Sequence, residues 1–187
     1  MPDLSYPELL EAEARAEARR RHPLRLLTVF LLAFFALQYG WEMARGSAVE
    51  RLVIDRLTVQ PAAWLIDELW PEHGVAAQGH RLVSAHGRLN VLNGCEGLET
   101  LFLLVAAFLA YPLAWRARLA GILSSIGLVF VLNQGRIVLL WQAWLSDRTH
   151  FGLLHGTLLP LALVALSLLF FLVFLSLQRH TNDAQGT

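Results

Sequence analysis

Four long apolar stretches, separated by polar connectors, dominate the pattern along the chain. Leu26–Ala44, Leu98–Trp115, Leu119–Leu145 and Leu158–Leu177 each approach or exceed the roughly 20 apolar residues that carry a helix across a bilayer. The third would reach about 40 Å as one helix, longer than the hydrocarbon core. Its polar group Asn133-Gln134-Gly135-Arg136 falls two-thirds along. The pattern therefore predicts a span over Leu119–Leu132, a break at Gly135, and a tilted extension through Ile137–Leu145. Arginines before the first stretch also fit a signal peptide, but the polar leader is long and no A-x-A site follows.

The connectors carry weaker patterns. Residues 1–25 read as a polar leader helix in which Glu and Arg recur at helical spacing. Between the first two spans, residues 43–97 are no simple linker. Val49, Leu52, Val53 and Leu57 form an apolar helical face, and Pro61 opens a second stretch holding Trp64 and Trp70. Both are expected to lie on the membrane surface. Gly74–Asn93 is Gly-rich and alternating, with Leu89 and Val91 opposite Arg88 and Asn90, which predicts a hairpin or extended cap. The expected fold is an all-α polytopic membrane protein with about four transmembrane helices, interfacial helices and a small extracytoplasmic cap. A transmembrane domain over 26–177 is followed by a short tail, 178–187.

Composition agrees. Hydrophobic residues make up 56% of the 187 and charged ones 16%, against roughly 45–50% and about 25% in soluble domains. Fifteen basic residues, all Arg, balance fifteen acidic ones, which removes the case for binding nucleic acid through phosphate attraction. With four spans, the arginines of the leader, Arg116, Arg118 and Arg179 share one side, expected to be the cytoplasm. Both termini are then cytoplasmic and the 43–97 segment faces out.

Ionisable groups at membrane depth are costly and so point to function. Cys95-Glu96-Gly97-Leu98-Glu99, Asn133–Arg136 and His150–His155 are distant in sequence, yet this topology places all three near the outer face. A lone cysteine is ordinarily a small core residue. Cys95, however, stands just before a helix, where exposed N–H groups and the dipole favour thiolate. Arg136 reads either as a snorkelling side chain or as a cation for the thiolate and for an oxyanion. His155 reads either as a loop histidine or as the general base and acid, with His150 as understudy. Gly94 and Gly97 would let a substrate backbone approach closely.

These residues resemble a known family. Asn93-Gly94-Cys95-Glu96-Gly97-Leu98-Glu99, then Asn133-Gln134-Gly135-Arg136-Ile137, then His155 before the last apolar helix, follow the exosortase/archaeosortase pattern. The intervals are 41 residues from Cys95 to Arg136 and 19 from there to His155. VAAFLAYPLAWRARLAG is especially similar to the short branch called exosortase H. The resemblance implies a membrane cysteine protease/transpeptidase of the bacterial inner membrane. Its substrates would be exported proteins with a C-terminal sorting signal: a motif, a hydrophobic helix and a basic tail. It implies Cys95 as nucleophile, Arg136 as cation and His155 as acid/base. Gly94, Gly97, Asn133, Glu99 and His150 are expected to bind substrate, with no cofactor or metal. Two features depart from the pattern. Gln134-Gly135 replaces an apolar pair before Arg136, and Glu96 sets a carboxylate beside the thiol.

Three other readings compete. A non-catalytic scaffold would use Arg136 as an ion-pair partner. A haem or metal protein would use His80, His86, His150 or His155, but these do not face one another in mid-membrane helices. A serine protease would need more than Ser124-Ser125-Ile126-Gly127, which lacks the G-x-S order.

Overall fold

The structure, a computed structural model, describes residues 22–91, 94–146 and 148–185. The leader expected over 1–25 therefore lies almost wholly outside the described residues. Helix α1 (Pro23–Ala44) opens on a proline, whose missing N–H has no partner to lose at a helix start. A continuous helical rod follows: α2 (Ala48–Arg51), a π segment (Leu52–Val59) and α3 (Gln60–Leu69). After a single 3₁₀ turn at Pro71–His73, strands β1 (Ala76–Gln78), β2 (Arg81–Ser84) and β3 (Gly87–Asn90) form an antiparallel meander. Helices α4 (Leu98–Ala110), α5 (Trp115–Ser146) and α6 (Arg148–Leu153) come next. A second π segment (Leu154–Leu158) then leads without interruption into α7 (Leu159–Gln185).

The protein is thus an all-α membrane protein with a small β-containing cap. Three helical runs, Pro23–Ala44, Trp115–Ser146 and Arg148–Gln178, are long and apolar enough to cross a bilayer. The second of the four expected spans is shorter than predicted, because α4 ends at Ala110 rather than Trp115. Pro112 disfavours helical geometry at the preceding residue, and Tyr111 is extended accordingly. At 13 residues α4 reaches about 20 Å. Arg118 closes this end: it donates to Phe108 O in the last turn at 3.2 Å, and to Tyr111 O and Leu113 O just beyond the helix at 3.4 Å.

Helix α5 corrects the expected break, since its 32 residues run unbroken through Gly135. Trp115 to Leu132 accounts for about 27 Å, nearly the ~30 Å core. The cap packs onto the turns that follow Asn133. Ile54, Val59, Ile66, Leu82, Leu89 and Val91 bury against Ile137, Val138, Leu140 and Trp141 of α5. Leu82 and Leu89 are directly paired across β2 and β3, and Arg88 and Asn90 point out, as the alternation predicts.

Val49, Leu52 and Leu57, the apolar face expected to lie on the membrane surface, are 54%, 49% and 51% exposed, while Ile54, Thr58 and Val59, outside that face, are buried, Ile54 and Val59 against the cap. The wider turn of the π segment rotates every later residue relative to an α-helical wheel. The Thr58 hydroxyl donates to the Val53 carbonyl five residues back, following the π spacing.

A second core lies within the membrane part. Phe108, fully buried, meets Phe171 and Phe174 edge-on at centroid distances of 5.0 and 5.1 Å. Gly121 of α5 admits that ring, for a Cβ there would come within 2.4 Å of it.

Candidate active site

The thiol sits on the turn between β3 and α4. Gly94 (φ +92°) and Gly97 (φ +77°) bracket Cys95 and Glu96 in the left-handed region that favours glycine. This turn folds Cys95 inward, leaving it 7% exposed. Helix α5 clasps the turn through two residues three apart on one face. Asn133 Nδ2 donates to the Cys95 carbonyl at 2.9 Å, and Arg136 Nη1 donates to the Gly94 carbonyl at 3.2 Å. Gly97 lies so near Asn133 that a Cβ would stand 3.1 Å from its Cγ and Oδ1.

From the other side comes His155. Its Nε2 lies 3.0 Å from Cys95 Sγ, across 60 residues of sequence. The ring belongs to the second π segment and stacks on Phe151, with centroids 5.5 Å apart and planes 13° from parallel. Phe151 in turn meets the Trp144 ring edge-on at 5.4 Å. The imidazole is thus seated by a chain of rings that ends on α5. Arg136 is close enough to act electrostatically on His155.

The site is polar and enclosed. Asn133 and Arg136 are 2% and 7% exposed. Asn133 Oδ1, Gln134 Oε1 and Arg136 Nε are buried without a hydrogen-bond partner among the described residues. A buried donor or acceptor left so carries a desolvation cost that an incoming polar group would relieve. Glu96, the acidic neighbour of the thiol, has its Oε1 held by the Trp41 indole N–H at 3.2 Å, and Trp41 is itself buried at the end of α1.

The expected site residues thus divide by position. Cys95, Arg136, His155, Gly94, Gly97 and Asn133 come together. Glu99, on the first turn of α4, and His150, on α6, are exposed. Asn93 lies outside the described residues. Of the other histidines, His86 is exposed and His80 half-buried in the cap, and Ser125 donates to the Gly121 carbonyl at 2.7 Å in the helix interior. Among the described residues no group of three or more His, Cys, Asp or Glu side chains is placed to hold a metal.

Two contributors escaped the sequence reading. Phe151 stands four residues before His155, a spacing that brings side chains together on a helix, so its signal was present. Nothing local marks Trp41 as the partner of a carboxylate 55 residues on.

Residues 17–175 match the family described as transmembrane exosortase. No curated protein and no solved structure matches the chain.

Proposed function

The chain belongs to the transmembrane exosortase family, and from that premise we propose that it is a cysteine protease/transpeptidase. It would cleave the C-terminal sorting signal of exported proteins at the outer face of a bacterial inner membrane. The observation that carries this reading is the 3.0 Å approach of Cys95 Sγ to His155 Nε2 beside the buried Arg136.

In the proposed reaction the Cys95 thiol gives its proton to His155 Nε2 and the sulfur attacks the scissile carbonyl. The carbonyl electron pair moves to oxygen, and the unpartnered Arg136 Nε–H is a buried donor for that oxyanion. Collapse expels the amine, which takes the proton back from His155, and leaves an acyl thioester on Cys95. An acceptor amine or water then gives a proton to His155 and attacks the thioester, and the thiolate is reprotonated as the tetrahedral adduct collapses. Gly97 and Asn133 hold the thiol-bearing turn, while exposed Gly94, Glu99 and His150 face the arriving motif. The substrate's own helix lies in the bilayer, and its basic tail stays on the cytoplasmic side with both termini of this chain.

Coexpression of a tagged candidate substrate with wild-type, Cys95→Ala and His155→Gln protein tests this. Processing should fall about a thousandfold or more in each variant, roughly the scale set by losing a nucleophile or its base. Full processing by Cys95→Ala would refute the catalytic role.

A further inference from the structure

The cap holds a second concave site that the thiol chemistry does not use. A cavity of about 550 Å³ opens between the beginning of the helical rod and the β1–β2 turn at Gly79. Cavities of this size are typical of small-molecule sites. Arg51, Leu52, Asp55, Arg56 and Gln60 contribute to its wall.

The π segment explains how these side chains come together. Residues five apart on an α-helix point about 140° away from each other. The i→i+5 hydrogen bonding of a π-helix, with its wider turn, brings them much closer in direction. Arg51 and Arg56 are five apart, as are Asp55 and Gln60, and the Gln60 N–H donates to the Asp55 carbonyl in this π pattern. The irregular turn therefore gathers two guanidiniums and a carboxamide into one cavity. Asp55 does not neutralise them, since among the described residues neither arginine forms a salt bridge. Arg51 donates a long bond of 3.5 Å to the Gly46 carbonyl. The cavity thus carries two cationic groups, one anionic group and a net positive charge.

Its position selects the ligand. The rod starts four residues after α1 ends, so this end lies at the membrane boundary. Val49, Leu52 and Leu57 expose apolar side chains along the same rod. Arginines beside exposed aliphatic residues at that depth match a lipid's division into charged phosphate and acyl chain.

We propose that this cavity binds the phosphate of a membrane phospholipid, with Arg51 and Arg56 on its oxygens and Val49, Leu52 and Leu57 against its acyl chains. This site is independent of the proposed peptidase chemistry. The π segment tethers the cap to the bilayer through it.

The test is native mass spectrometry of the full-length protein in neutral detergent, with dioleoylphosphatidylglycerol, dioleoylglycerol or inorganic phosphate added. The wild type should bind dioleoylphosphatidylglycerol and not dioleoylglycerol, and millimolar phosphate should not displace the lipid. Arg51→Gln/Arg56→Gln should bind it about tenfold more weakly or worse, given the contribution of each arginine near a lipid phosphate. Arg88→Gln, an exposed position on β3 outside the cavity, should bind as wild type. Equal binding of dioleoylglycerol by the wild type would overturn the phosphate assignment without recourse to any variant. Undiminished lipid binding by the double variant would overturn the role of the two arginines. Displacement by millimolar phosphate would show a free-anion site and overturn the lipid.

Discussion

Gly97 answers two separate demands. Its φ of +77° places it where a Cβ is disfavoured, by about 1–2 kcal/mol for an L-residue, and the missing side chain leaves room for Asn133 at 3.1 Å. Alanine there strains the backbone and pushes Asn133 away from the Cys95 carbonyl. Gly97→Ala should cost about 1–3 kcal/mol, seen as a lower thermal midpoint in detergent together with slower processing. Phe151 acts differently, because its ring stacks on His155. Leucine would fill most of its volume without offering a flat face for the imidazole. Phe151→Leu should leave the thermal midpoint nearly unchanged while processing slows about tenfold, the scale of a small misplacement of a reacting group. An unchanged rate would mean that the ring stack does not position His155.

At the scale of elements, α5 joins the two halves of the protein. Its apolar stretch is long enough to cross a bilayer, and the turns from Asn133 onward carry both the site and the cap. Two glycines on this helix should respond in opposite ways. At Gly121 a Cβ would stand 2.4 Å from the buried Phe108 ring. Phe108 cannot retreat, being held by Phe170, Phe171 and Phe174. Gly121→Ala should therefore destabilise by about 1–3 kcal/mol, the usual cost of overpacking. Gly135 has nothing within 4 Å of an added Cβ, and alanine there gains up to about 1 kcal/mol of helix propensity. Thermal scans of the two variants side by side would check both signs. The pair also explains why the expected break at Gly135 is absent. Packing of Ile137, Val138, Leu140 and Trp141 against the cap outweighs one unfavourable glycine.

For the whole molecule, the cap and the membrane helices meet at the candidate site. Cys95 belongs to the cap's core, Arg136 to the long helix and His155 to the last helical run. The arginine distribution predicts the side of the membrane on which they meet, and this prediction can be checked directly. Cys95 is the sole cysteine in the chain. In a Cys95→Ala background, a cysteine replacing exposed His86 on the β2–β3 turn should react with an impermeant maleimide in intact spheroplasts. One replacing exposed Arg116 should react after lysis alone. The reverse result would place the cap in the cytoplasm.

Hydropathy and residue order sufficed for the helical membrane class, the positions of the apolar runs and the three short polar motifs. Those properties are carried by local composition, which water and lipid sort without reference to distant residues. The ends and phases of several elements were beyond that reading. The α4 terminus depends on Tyr111-Pro112 and the reach of Arg118, and the rod's buried face depends on a π turn that an α-helical wheel does not contain. The meeting of Cys95 with His155, the clasp of Asn133 and Arg136 on the turn, and the capture of Glu96 by Trp41 all join residues at least 38 positions apart. Such contacts form when whole elements pack, because packing sets the distances that separation along a chain leaves open.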